Sequence, residues 1–272
     1  MSSGSALNEV HNTAFQSAAL RAGHFLTGAE PKIFRDEFAA RLIEMTEDEA
    51  IAFTAKVPPA SASTVIVRAR FTEDRLAAAR NRLNQYVVLG AGLDSYALRM
   101  GETLGSLIVY EVDDPPFQAW KRQRIETLGL KTPKQVRYAP CDFETMSIDQ
   151  ALAAQGFAAN EPCFISWLGV TQYLTRDAIR QTLRWAAQRP KGSEISFTYV
   201  ENNTSEQKRS AKPGVVPYLS YFTTDEITEL LRELGFSRIE HLTRAEAEET
   251  YFKNRSDGMT APISQRDVAA IV

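Results

Sequence analysis

The sequence predicts an α/β protein: a mainly parallel sheet with helices on both faces, preceded by a helical segment. Three observations predict it. Five short apolar, β-rich runs recur between residues 85 and 200. The spacers between them are amphipathic and long enough for helices, the pattern of βαβ units. Residues from about 10 to 80 carry helical patterns instead.

Within that first segment, "FRDEFAARLIEM" places Phe34, Phe38, Leu42 and Met45 at three- and four-residue steps, which predicts a helix. "FTEDRLAAARNRL" is rich in Ala, Arg and Leu and predicts another. Between them, "AKVPPASAS" (55–63) carries Pro-Pro and small polar residues and reads as a loop.

The strand runs are "QYVVLG" (85–90), "SLIVYEV" (106–112), "QVRYAP" (135–140), "CFISWLG" (163–169) and "EISFTYV" (194–200). Near-continuous apolarity, as in "YVVLG", suits a strand buried on both faces. The spacers "FQAWKRQRIETLGL", "SIDQALAAQGF" and "RDAIRQTLRWAAQ" each predict a helix. The polar stretch 202–218, with its Lys-Pro-Gly turn, reads as an insertion after the fifth strand. "TTDEITELLRELGF" opens on a Thr/Asp cap signal with Glu226 following and stops at Gly235, a final helix before a late strand, "SRIEHL".

Composition narrows the function classes. The 272 residues are 44% hydrophobic and 24% charged, an ordinary globular balance. A net charge of -3 gives no global basic field for nucleic acid. The local basic clusters "KRQR" (121–124) and "QKRS" (207–210) read as solvated faces. No apolar run approaches the ~20 residues that cross a bilayer, and "MSSGSALNEV" lacks a basic stretch followed by an apolar one. A cytoplasmic location is expected. Cys141 and Cys163 then read as reduced structural thiols. His11, His24 and His241 are scattered and no CxxC spacing occurs, so no metal site is expected.

In open α/β sheets, ligands bind beyond the carboxyl ends of the strands. Gly90, Ala91, Gly92 and Asp94 follow the first run. Glycines there let the backbone turn tightly and approach a ligand. Glu111 and Asp113 close the second run, 21 and 23 residues after Gly90. That is near the ~20 at which an acidic residue meets a ribose diol. Asp142 and Phe143 follow the third: an acceptor for an adenine amino group and a ring to pack on its face. Together these residues describe an adenosine site. A pyrophosphate fits poorly, because Ser95 replaces the third small residue of the dinucleotide fingerprint and Asp94 stands where a phosphate would meet the helix start. Adenosine with a positive charge and no phosphate points to S-adenosylmethionine. Taken singly, the features have simpler readings: a structural turn at Gly90–Gly92, a helix cap at Asp114, a turn cap at Asp142.

"VVLGAGLDSYALRM", "VYEVDDPPFQAWKRQRI", "VRYAPCDFE" and "SWLGVTQYLTRDAI", in this order, resemble the leucine carboxyl methyltransferase-like family of S-adenosylmethionine-dependent methyltransferases. The likeness is greatest to its bacterial polyketide O-methyltransferase branch, and it runs from about residue 15 to 260. It implies a class I methyltransferase (Rossmann-like) fold: a mainly parallel seven-stranded sheet and a helical N-terminal cap. The expected division is 1–82 for the cap and 83–272 for the core, with an insertion near 201–222. The resemblance places Gly90, Ala91 and Gly92 against the methionine part of the cofactor. It places Asp113 on the ribose with Glu111 in support, and Asp142 and Phe143 at the adenine. Arg68 matches an arginine directed at the cofactor carboxylate, with Arg70 as a competitor, and Arg21 aligns with a basic cap residue. Family members commonly read "SWEGVTMYL". Here Leu168 stands where that glutamate would neutralise the cofactor's ammonium, and Asp94 is a carboxylate that can compensate.

Methyl transfer to oxygen chiefly demands alignment and exclusion of water. A carboxylate acceptor, with a reference pKa of ~4, arrives ionised; a phenol, at ~10, calls for a base. His24, in the cap, is the best candidate base, and Tyr173 and Arg255 are candidates to orient substrate. The expectation is an enzyme, monomeric or homodimeric, that forms a methyl ester on a small-molecule carboxylate. The alternatives are methylation of a phenol or hydroxyl, a member that no longer transfers methyl, and an NAD-dependent oxidoreductase.

Overall fold

The computed structural model describes residues 3–143, 145–202 and 216–272, with side chains from residue 12 onward. The "QKRS" cluster and most of the expected insertion lie outside these residues. Four helices come first: α1 (Ser3–Thr27), α2 (Ala39–Leu42), α3 (Glu47–Thr54) and α4 (Pro59–Ala79). Alternation then begins, with β1 (Gln85–Leu89), α5 (Tyr96–Met100), β2 (Ile108–Asp113), α6 (Pro115–Thr127), β3 (Val136–Pro140), α7 (Ile148–Ala153), β4 (Phe164–Trp167), α8 (Arg176–Ala187) and β5 (Glu194–Val200). Beyond residue 216 come α9 (Thr224–Glu233), β6 (Arg238–Leu242), α10 (Arg244–Ala247) and β7 (Gln265–Ile271).

The seven strands lie in the order β3-β2-β1-β4-β5-β7-β6. β1 to β5 pair in parallel. β7 inserts antiparallel between β5 and β6. The order reverses between β1 and β4, the switch point beyond which α/β sheets bind ligands.

Every residue of β1 and β5 is buried, because helices cover both faces. On one face, Val87, Ile165, Phe197 and Val268 pack with Leu183 of α8 and Leu231 of α9. On the other, Tyr86, Val88 and Phe164 pack with Leu76 and Ala79 of α4 and Tyr96 of α5. α9 starts on the expected cap, in which Thr223 and Glu226 form a capping box. Cys141 and Cys163 are free and buried, and burial pushes their thiols up to about 11 and about 12.

Two expectations for the N-terminal helices are corrected. The Phe34–Met45 stripe is not one helix. Only Ala39–Leu42 is helical. Asp36, just before it, is buried and accepts the Phe38 N–H at 3.2 Å, which bends the chain away from helix. The loop at 55–63 is also shorter than expected. Pro59 sits at the first position of α4, where its fixed φ and missing N–H suit a helix start.

α4 crosses the sheet through a buried polar seam. Residues four and three apart on the helix meet every second residue of β5. The Thr72 and Ser196 hydroxyls hydrogen-bond at 2.7 Å, and Arg75 Nε donates to Glu194 at 2.6 Å. Breaking the hydroxyl pair from one side leaves the other buried and unsatisfied, at about 1–3 kcal/mol. Thr72→Val is therefore expected to destabilise the protein by that amount in urea unfolding. The Thr72→Val/Ser196→Ala double variant is expected to recover most of the loss.

Candidate functional site

At the end of β1 the chain turns sharply through Gly90 (φ 65°) and Gly92 (φ 48°). Both angles lie in the region that disfavours side chains. At Gly90 space is limiting as well, since a Cβ would fall 2.8 Å from Val170 Cγ2. The N–H groups of Gly90 and Ala91 both donate to Val112 O of β2, at 2.9 and 3.1 Å. The Asp113 carboxylate accepts the N–H of Gly92 and that of Asp114, at 2.7 Å. Burial raises the Asp113 carboxyl while these two N–H groups oppose the rise. A carboxylate has about four acceptor positions, so Asp113 retains capacity for two further donors.

A second network holds the N-terminal helices over this turn. Asp36 Oδ2 accepts from Arg21 Nε of α1 at 2.8 Å and from the Ser95 hydroxyl at 2.7 Å. Arg21 Nη2 also donates to Leu93 O at 2.7 Å. Arg99 Nε donates to Ser95 Oγ at 3.0 Å, and its other nitrogens hold Glu73 of α4. The Arg99 guanidinium lies 4.5 Å from the centre of the Phe34 ring.

Between this roof and the strand ends is a cavity of about 360 Å³. Its wall brings together Arg68, Gly90, Ala91, Gly92, Asp94 and Asp113 with Phe143, Leu168 and Tyr173. Phe143 is an apolar side chain left 55% exposed at its lip. Asp94 Oδ1 accepts the Tyr96 N–H at 2.8 Å. The Tyr173 ring stands 5.6 Å from that of Tyr218. Arg21, Arg68 and Arg99 all line the cavity. Arg21 and Arg99 are matched by Asp36 and Glu73. Arg68 donates to Ser17 Oγ at 3.1 Å; among the described residues, no carboxylate lies within ion-pair distance of it. Burial and the nearby Arg21 lower it to about 10. Its competitor Arg70 pairs with Asp74 on an exposed face.

Four expected site residues lie outside the cavity wall. Glu111 is buried under α6 and ion-paired with Lys121 at 2.7 Å. Burial raises its carboxyl against the pull of Lys121. It supports the sheet–helix contact. The same pair corrects the reading of "KRQR" as a solvated face: Lys121 is 2% exposed, and Arg124 donates to Leu42 O at 3.2 Å. His24 is buried, and Nε2 accepts the Phe34 N–H at 3.4 Å. Burial, then Arg255, lower it to about 4, so it stays neutral and faces the loop at 28–34. Asp142 is exposed beside Phe143 and accepts from Thr145 Oγ1 at 2.8 Å. Arg255 is engaged by Asp257 and by the carbonyls of Ala29 and Pro31. Phe34, Ser17 and Phe117 also line the cavity. Nothing in their local sequence marks them, because they reach it from separate elements.

A family model described as leucine carboxyl methyltransferase matches residues 14–187. A Bacillus subtilis protein provisionally named an S-adenosyl-L-methionine-dependent methyltransferase, YktD, is 32% identical over 85% of this chain and 79% of its own length. A Mycolicibacterium gilvum protein of the same provisional description is 36% identical over 62% of this chain and 51% of its own length. For a third, from Mycolicibacterium paratuberculosis, the figures are 31%, 63% and 60%. The chain thus spans half to three-fifths of those two mycobacterial relatives. Among solved structures, a DUF574-family protein from Streptomyces avermitilis superposes with a TM-score of 0.55 at 14% identity, covering 93% of this chain and 96% of that one. The CurJ carbon methyltransferase superposes at 0.52 and 14%, covering 86% and 66%. These likenesses show the fold, that of class I methyltransferases.

The buried Glu111–Lys121 pair gives a stability prediction. Removing one partner of such a pair leaves an uncompensated buried charge and costs about 3–5 kcal/mol. Lys121→Met is expected to lower unfolding free energy by that amount in urea titration, and Lys121→Met/Glu111→Leu by clearly less.

Proposed function

Since the chain belongs to the leucine carboxyl methyltransferase family and is an S-adenosylmethionine-dependent methyltransferase, we propose that it forms a methyl ester on a carboxylate of a small-molecule acceptor. One observation carries the choice of acceptor: the cavity has anion-binding capacity to spare. Arg68 has no carboxylate partner among the described residues, and Arg21 at the same end, though ion-paired with Asp36, spends only two of its five N–H donors on Asp36 and Leu93 O. Two guanidiniums suit two carboxylates, the cofactor's and the acceptor's. An ionised carboxylate needs no general base. His24, the candidate base, is turned away and held neutral.

The residues present fit the cofactor. Asp113 retains acceptor positions for a ribose diol, and Phe143 offers its face to the adenine, with Asp142 beside it as acceptor. The backbone of Gly90, Ala91 and Gly92 passes close to the methionine part. Arg68 takes its carboxylate. Asp94 supplies the negative charge that Leu168 cannot give the ammonium. When bound, S-adenosylmethionine supplies an electrophilic methyl on its sulfonium. Arg21 and the Tyr173 hydroxyl clamp the acceptor oxygen in line with it. Residues 1–82 act as a cap that excludes water over the core formed by 83–272. The protein works as a monomer or homodimer. Among the described residues no single helix is long and apolar enough to cross a membrane. A cytoplasmic location is supported by two free, buried cysteines.

S-Adenosylhomocysteine is expected to raise the melting temperature and NAD to leave it unchanged. In Asp113→Ala the homocysteine-product shift should disappear, because two charge-assisted hydrogen bonds of about 1.5–3 kcal/mol each are lost. Undiminished affinity would remove Asp113 from the ribose. The acceptor class is tested with methyl-labelled S-adenosylmethionine and a panel of small carboxylic acids and phenols. Label incorporated into the acids and released as methanol by alkali is the expected result. Alkali-stable label in the phenols would refute ester formation.

A further inference from the structure

The polar seam between α4 and the sheet has three rungs, and one is open. Arg75 meets Glu194, and Thr72 meets Ser196. The next residue of that helix face is Arg68, and the next inward residue of β5 is Thr198. Asp267 of β7 is the register partner of Thr198 and points to the same face. Thr198 Oγ1 accepts the Gly169 N–H at 2.8 Å. A Cβ on Gly169 would fall 2.5 Å from a guanidinium nitrogen of Arg68. Arg68, over Gly169, and Asp267 therefore flank Thr198 on one face of the sheet. They do not close into an ion pair as the rung at Glu194 does. Asp267 is 4% exposed, and its Oδ1 is buried with no hydrogen-bond partner among the described residues.

An unpartnered buried carboxylate is costly, and Arg68 is the cation that can relieve it. Arg68 also faces the cavity, where an anion would compete for it. We propose that Asp267 is a positioning residue for Arg68: it holds the guanidinium as a counter-charge while the cavity lacks an anion, and takes up a proton from solvent when a bound carboxylate claims Arg68. The inference rests on the cofactor reading above, in which that carboxylate belongs to the methionine part.

The other charged and titratable groups around the pair do not substitute for it. Arg266, next in the strand, is ion-paired with Glu201 at 2.7 Å. Tyr251, which precedes β7, is a neutral phenol raised by burial, and Tyr199 of β5 points to the opposite face of the sheet, its hydroxyl near Thr224 and His241. Arg21, Tyr173 and Tyr218 face Arg68 from the cavity side. Burial raises the Asp267 carboxyl to about 7, with Arg68 and then Arg266 opposing the rise. Withdrawing Arg68 toward a ligand raises it further. Binding then takes up a fraction of a proton near pH 7, and affinity falls as pH rises through that region. The stability sign follows from the same group. Its folded pKa lies above its unfolded one, so the folded state holds the extra proton between about pH 4 and 7. Stability therefore declines as pH rises across that window.

Calorimetric titration of the full chain with S-adenosylhomocysteine at pH 7.0, in buffers of different ionisation enthalpy, tests this. At that pH the ligand's own amino group is already charged. The wild type is expected to take up a fraction of a proton, and to bind several-fold more weakly at pH 8.5 than at pH 6.5. Methylthioadenosine, which keeps the adenosine but lacks the carboxylate, is expected to bind without proton uptake. Asp267→Asn should bind S-adenosylhomocysteine with no proton uptake at pH 7.0 and a flatter pH dependence. It should also gain melting temperature over the wild type at pH 8 more than at pH 5. Heat independent of buffer for the wild type would overturn the proposal whatever the variant does. Undiminished uptake in a folded Asp267→Asn, or equal uptake with methylthioadenosine, would overturn it too. A wild type that binds S-adenosylhomocysteine without proton uptake sinks this inference alone. One that fails to bind it sinks the cofactor reading with it.

Discussion

The buried carboxylate of Asp36 governs where the N-terminal helices sit. It accepts from Arg21 of α1 and from Ser95 just after the glycine turn, and its other oxygen takes the Phe38 N–H. A buried anion with a single partner would be costly; three donors hold it. Through Ser95 the network continues to Arg99 and Glu73 of α4. Helices from the first 80 residues are thereby tied to the loop after β1. The cavity exists because that roof is fixed above the strand ends. The same network decides the cavity's charge, since it engages two of the three guanidiniums in the wall and leaves Arg68 without a carboxylate partner among the described residues.

The sheet side of the cavity is just as constrained. Gly92 donates to Asp113, and Gly90 has no room for a side chain against Val170. β1, β2 and β4 thus meet at one point, where the strand order reverses. Two backbone N–H groups hold the Asp113 carboxylate before any ligand arrives, and a preorganised acceptor loses little freedom on binding. Gly169 plays a comparable part for Arg68, whose guanidinium rests where a side chain would otherwise be.

Much of this was legible in the sequence. The alternation of apolar runs and amphipathic spacers predicts β1 to β5 and their helices, because strand period and helix period are local properties. The residues at the strand ends follow from the general rule for α/β sheets. Glu111 was harder. It shares a face with Asp113, yet one residue pair nearer the middle of β2 it falls under α6 and meets Lys121. Sequence spacing separates the two by so little that only the packing of α6 decides between them. His24 was hard to place for a similar reason, since the direction of a helix face depends on the partner it meets. Ser95 counted against a pyrophosphate; its hydroxyl serves Asp36, a residue 59 positions away. β7 is only partly apolar, and it pairs antiparallel with strands on either side. Nothing local connects Asp267 in it to Arg68.

The central claim is that the cavity is built for an adenosine diol at Asp113 and a carboxylate at Arg68. A crystal structure with S-adenosylhomocysteine tests it most directly. Both ribose hydroxyls should donate to the Asp113 carboxylate, and the amino-acid carboxylate should lie against the Arg68 guanidinium. A ligand bound elsewhere, or bound in the cavity with its ribose off Asp113 and its carboxylate off Arg68, would contradict the account.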